Sequence, residues 1–262
     1  MGAPIVTSRL AAFLGVSALA LACASAPAPR QEPKEEPQGL TYKEYTLGAP
    51  APDALLVALH YSGSTPEFWD ELLNDWGAAV RVVLPRGPRP HREGFTWFPV
   101  DHEQKEKTAK TADVEIMTDR IARIIREIRL AHPEIRHVAV TGFSYGGDLA
   151  WALAIRYPEL VDVAVPMGSR LLGDPARPLP ETSRVLVLQG EVDPIIDARQ
   201  TAQRVTELKA RGVPIDVRIY ADLGHDVSPQ LIEDWRTFLR QELRGTTESR
   251  EPAGTTLTPS PF

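Results

Sequence analysis

The stretch VAVTGFSYGGDLAWALAIRYP, running from Val138 to Pro158, decides how the chain is read. It opens on mostly apolar residues rich in β-branched side chains, the composition of a buried strand, and it closes on a run of helix formers. At the junction stands Ser144, with Gly142 and Gly146 two residues away on either side and Gly147 following. A serine that attacks a carbonyl must project from a sharp strand-to-helix turn held in a strained backbone conformation. Side chains two residues to either side would then strike the neighbouring strand and helix. Glycine removes them, and Gly147 lets the helix approach the sheet. The competing reading is a packing turn, or a phosphate-like turn, without this chemistry. The strand before and the helix after favour the nucleophile.

Working outward, the pattern alternates. Residues 41–47, 54–60, 80–85, 135–142, 160–168, 184–190 and 213–220 read as strands, several of them apolar throughout. Residues 66–78, 113–131, 145–157, 197–212 and 229–243 read as helices. The clearest is 113–131, where Val114, Met117, Ile121, Ile124, Ile125 and Ile128 keep i, i+3, i+4 spacing. Strands alternating with helices predict an α/β fold with a mostly parallel sheet covered on both faces. Such sheets place their ligands beyond the carboxyl ends of the strands, so the chemistry belongs in the loops there.

A serine needs a base and a carboxylate to orient that base. Of six histidines, His225 in YADLGHDVSP follows the last strand and precedes the last helix, where this architecture puts the base. Asp193 in VLQGEVDPIID is the preferred carboxylate. Glu191 and Asp197 share its loop as rivals, with Asp197 placed to cap the next helix. Backbone N–H groups must receive the charge that develops on the attacked carbonyl. The expected donors are Tyr145, directly after the serine, and Ser62 in LHYSGST, with His60 fastening that loop. No spacing of ligands makes a credible metal site, and no cofactor is expected.

In this order the segments LHYSGST, PRG…GFTWF, GFSYGG, GEVDPIID and GHDVSPQLIEDWRTFL resemble the phospholipase/carboxylesterase family of α/β-hydrolases, over most of 54–243. The resemblance implies Ser144, Asp193 and His225 as a catalytic triad, and an oxyanion hole from the Ser62 loop and Tyr145. It departs at Tyr61, where glycine usually follows the histidine, and at Tyr145, where glutamine is common. Both keep a backbone donor and bear on substrate choice, so Tyr61 joins the expected pocket. Trp97 and Phe98 either line that pocket, as the similarity implies, or anchor their loop to the core. No large insertion separates the strands at 160–168 and 184–190. No cap domain is therefore expected, and the site should be open, suited to small or medium esters. The rival functions are an exported peptidase of related fold and an inert binding protein on the same scaffold.

The 262 residues carry a net charge of -6 with no concentrated basic patch, which argues against nucleic acid as a partner. The front of the chain has its own character. Arg9 precedes an apolar run, Leu10 to Ala22, too short to span a bilayer, which reads as a signal peptide over 1–22. Cys23 follows directly and resembles the lipid-attachment cysteine of bacterial lipoproteins, although Ala20 and Ala22 also suit an ordinary signal peptidase. Residues 23–39 read as a disordered tether, 40–244 as the hydrolase domain and 245–262 as a disordered tail. The expectation is an exported protein, periplasmic or held at the outer membrane by a lipid anchor, with an ester as its small-molecule partner.

Overall fold

The computed structural model describes residues 39–248. The expected signal segment, Cys23, the tether before residue 39 and the tail beyond 248 lie outside the described residues.

Seven strands form one sheet: β1 (Tyr42–Leu47), β2 (Ala54–Leu59), β3 (Val80–Pro85), β6 (His137–Phe143), β7 (Val163–Met167), β8 (Arg184–Gly190) and β9 (Ile215–Tyr220). Their spatial order is β1-β3-β2-β6-β7-β8-β9, with β1 alone antiparallel to its neighbour. Strand β2 shows why the sheet is covered on both faces. Leu55, Val57 and Leu59 enter one apolar cluster, with helices α2 (Lys107–Ala131), α3 (Tyr145–Arg156) and α4 (Ala198–Ala210). Ala54, Leu56 and Ala58 enter the other, with α1 (Phe68–Leu73) and α5 (Pro229–Glu248). All five tryptophans are buried. Three of them, Trp69, Trp76 and Trp235, cluster under α1 and α5 with ring centroids 5.5 and 5.7 Å apart. This is the doubly covered, mostly parallel architecture that the α/β-hydrolase resemblance implies.

The boundaries differ from expectation where hydrophobic period stops being informative. Helix α2 starts six residues early, because its first turns, KTAKTA, have no apolar stripe to signal a helix, although their lysines and alanines favour one. Helix α1 keeps only six residues; turns at Thr65 and Pro66 precede it, and Gly77 at φ 67° lies beyond its end. Helix α5 runs to Glu248, past the expected start of the tail at 245. A short hairpin, β4 (Arg89–His91) with β5 (Gly94–Thr96), was not expected at all, since three-residue strands carry too little alternation to detect. No helix or strand lies between β7 and β8, so nothing caps the sheet there. Among the described residues no helix is long and apolar enough to cross a membrane.

Candidate active site

The turn at Ser144 is as strained as its glycines imply. Ser144 has φ 57° and ψ −119°, a region that non-glycine residues seldom occupy. Its N–H donates to Met167 O at 2.9 Å, and its carbonyl accepts Asp148 N–H at 3.0 Å, closing the first turn of α3. A Cβ on Gly142 would overlap the carbonyl of Gly146, and one on Gly146 would overlap the carbonyl of Leu59. The elbow therefore touches the end of β2 and brings the following loop alongside the serine.

His225 Nε2 lies 2.9 Å from Ser144 Oγ, and its Nδ1 lies 2.7 Å from Asp193 Oδ2. The Asp193 side chain is 1% exposed. Its Oδ1 accepts the N–H groups of Ile195 and Ile196 at 2.8 and 2.9 Å, and Oδ2 also accepts Gln189 Nε2 at 3.1 Å. Burial pushes this carboxyl upward, but the Ile196 N–H, the His225 ring and the Ile195 N–H outweigh it and hold its pKa below the usual value. It is thus kept ionised opposite the imidazole. The rivals are occupied elsewhere. Asp197 caps α4 through the N–H groups of Arg199 and Gln200, and Glu191 is an exposed residue of the turn. Gln189 was missed; a lone amide ending the apolar strand RVLVLQG was the signal, and it also donates to Ile196 O and Gly190 O.

Ser62 lies in the loop after β2 and Tyr145 opens α3, two segments that the elbow brings side by side. Among the described residues neither backbone N–H has an acceptor. The Ser62 loop is fastened on several sides. Gly63 N–H donates to Phe95 O at 2.8 Å, Phe95 N–H to Ser64 O at 2.8 Å, and Ser62 Oγ meets Thr96 Oγ1 at 2.9 Å. Hairpin β4–β5 thus serves as a splint for this loop. Tyr61 is half-buried, its ring set edge-on to Phe68 and to Phe143, which in turn packs on His225.

Trp97 and Phe98 require a correction. Both are buried, at 0% and 1% exposure, so neither offers ring surface to a substrate. Trp97 Nε1 donates to His60 O at 2.7 Å and Phe98 stacks on His102 at 4.2 Å. Of the two readings, loop anchors is the one their packing supports.

His60 fastens the loop from inside. Gly87 N–H can only donate, so Nε2 at 3.0 Å must accept, and Nδ1–H donates to Tyr61 O at 2.8 Å. Burial lowers its pKa from 6.5 to about 4, despite the contact with the Tyr61 carbonyl. The unfolded chain therefore takes up this proton first. Stability is full above pH 6.5 and falls as pH drops towards 4, by about 3 kcal/mol at most. Denaturant melts from pH 7 to 4 should show that loss, and His60→Asn should lack most of it. Parallel losses in the two proteins would discard His60 as the source. The depressed Asp193 titrates below this window.

Among the described residues, no three His, Cys, Asp or Glu side chains are arranged to hold a metal ion. The model of the phospholipase/carboxylesterase family matches residues 43–243. The chain belongs to that family. Acyl-protein thioesterase 1 of Gibberella zeae is 20% identical over 213 residues, covering 72% of this chain and 91% of the relative. Among solved structures, a carboxylesterase from Mesorhizobium loti is 26% identical, with a TM-score of 0.65 over 77% of this chain and 94% of its own. Esterase PE8, at 19% identity, shares the fold with a TM-score of 0.68 over 78% of this chain and 99% of its own. This chain has the α/β-hydrolase fold, and no helix or strand among the described residues between β7 and β8 forms a cap.

Proposed function

We propose that the protein hydrolyses small to medium carboxylic esters through an acyl-enzyme formed on Ser144. The observation that carries this reading is the unbroken relay from Ser144 Oγ through His225 to Asp193, at 2.9 and 2.7 Å, mounted on a strained elbow. In the first half-reaction His225 Nε2 takes the hydroxyl proton as Oγ bonds to the ester carbonyl carbon. The N–H groups of Ser62 and Tyr145 hold the resulting oxyanion. As the tetrahedral centre collapses, the bond to the alcohol oxygen breaks and that oxygen leaves with the proton from His225. In the second half, His225 takes a proton from water, the hydroxyl bonds to the acyl carbon, and the carboxylic acid leaves as Ser144 regains its proton. Asp193 holds the Nδ1–H tautomer and balances the imidazolium throughout. Every step uses the chain's own groups. The absence of a cap leaves the site open, which suits soluble esters of modest size.

Export is part of the proposal, supported by Arg9, the apolar run to Ala22 and Cys23. A fluorophosphonate probe followed by peptide mass mapping tests both parts in one experiment on the natively expressed protein. The expected adduct is on the peptide containing Ser144, and the expected mature N-terminus is Cys23. An unlabelled Ser144 in folded protein would overturn the enzyme reading, and an N-terminus at Met1 would overturn export.

A further inference from the structure

Helix α3 is apolar almost throughout, yet Asp148 stands in its first turn with a carboxylate at 0% exposure. A carboxylate is expensive to bury unless it is paired and hydrogen-bonded. This one directs its side-chain bonds at a single loop. Oδ1 accepts Ser169 Oγ at 3.0 Å and Arg170 N–H at 2.7 Å, while Oδ2 accepts Arg170 Nη1 at 2.8 Å. The loop held this way, which follows β7, is bent at both ends, with Gly168 at φ 52° and Leu171 at φ 49°. Gly168 lies against the imidazole. A Cβ there would come within 3.0 Å of Phe143 and 3.2 Å of His225 Cε1. The loop is therefore a wall for the His225 ring.

Arg170 carries the connection onward. Its Nη2 donates to Glu103 Oε1 at 2.8 Å, and the Tyr145 hydroxyl donates to the same oxygen. The guanidinium also lies 5.5 Å from the centre of the Tyr145 ring, whose other neighbours are Phe98 and His102. A closed circuit results: it leaves α3 at Asp148, passes through Arg170 and Glu103, and returns to α3 at Tyr145.

We infer that Asp148 is a positioning residue, the buried end of a side-chain ring with Arg170, Glu103 and Tyr145 that holds both the His225 ring and the Tyr145 amide in place around Ser144. The inference rests on the ester-hydrolase reading, because it assigns work within the same site. It gives the tyrosine after the nucleophile a role beyond its amide, since the hydroxyl closes the ring.

The test is steady-state hydrolysis of p-nitrophenyl acetate by the purified full chain, with Ser144→Ala as the blank. Asp148→Asn keeps the shape and can still accept from Ser169 and Arg170 N–H, but it removes the anion facing the guanidinium. The expected result is kcat lower by about 10- to 100-fold with KM within about twofold of wild type, the signature of misplaced groups rather than lost binding. Glu103→Ala removes the oxygen that both Arg170 and Tyr145 donate to and so breaks the ring at its exposed side, where the glutamate side chain is 43% exposed. It should lower kcat about fivefold through the Tyr145 donor, with a melting temperature within about 2 °C of wild type. If Asp148→Asn fails to fold, Glu103→Ala decides alone. Wild-type kcat in Glu103→Ala, or an Asp148→Asn protein that melts earlier but turns over normally while folded, would overturn the inference and leave the esterase reading standing. A wild-type protein that neither turns over nor takes the fluorophosphonate would instead remove the reading on which it rests.

Discussion

Asp193→Asn is expected to reduce ester turnover about 10⁴-fold while leaving the protein folded. The reason lies in how the carboxylate is committed. Oδ1 receives two backbone N–H groups, from Ile195 and Ile196, and only the oxygen of an asparagine can satisfy them. The asparagine NH₂ is then forced into the Oδ2 position, facing Gln189 Nε2 and His225 Nδ1. Against the imidazole it donates, so Nδ1 must become the acceptor and the ring proton moves to Nε2. There it points at Ser144 Oγ, and the base can no longer take the hydroxyl proton. Against Gln189 two donors meet, at a stability cost of about 1–3 kcal/mol. Turnover of p-nitrophenyl acetate at pH 7.5, together with a thermal melt, checks the claim. A variant within tenfold of wild-type turnover would show that Asp193 does not orient the base.

How much of this was open to reading in the sequence depended on whether a feature leaves a local trace. The elbow was legible because its constraint is packed into five residues, and the geometry at Gly142 and Gly146 is the collision that their missing side chains avoid. Strands β2, β6 and β8 were legible because burial on both faces leaves continuous apolar runs. His225 and Asp193 could be chosen because the topology puts chemistry only at strand ends. Three things were not legible, each for its own reason. Hairpin β4–β5 is too short to show alternation, and its pairing partner, the loop at Ser64, lies far back in the chain. The fate of Trp97 and Phe98 depended on whether His60 and His102 would meet them, and composition has no bearing on that. The circuit through Asp148 joins residues up to 67 positions apart. Its only trace was one acid in an apolar helix, which a reading focused on the serine next to it passes over.

The same elbow supplies the second large effect. Gly146→Ala should cost more than about 4 kcal/mol, a large part of the stability of an ordinary domain. The added methyl would overlap the Leu59 carbonyl and lie 2.8 Å from the His60 carbonyl oxygen, so the three atoms nearest to it are all backbone. No rotamer change relieves such a clash. The segment that would have to move is the end of β2, where Leu59 is fully buried and Leu59 pairs with Gly142 of the neighbouring strand. Movement outward would also carry His60 away from Gly87 and loosen the loop bearing Ser62. Stability and turnover should therefore fall together, with a drop in melting temperature of about 8–16 °C or a loss of soluble protein. Gly224→Ala is the matched control: it is adjacent to His225, but a Cβ there meets nothing within 4 Å. Its melting temperature should stay within about 2 °C of wild type, since an added methyl in open space neither clashes nor buries a polar group. If Gly146→Ala melted like Gly224→Ala, the close approach of α3 to β2 would not be a requirement of the fold, and the glycines around Ser144 would need a different explanation.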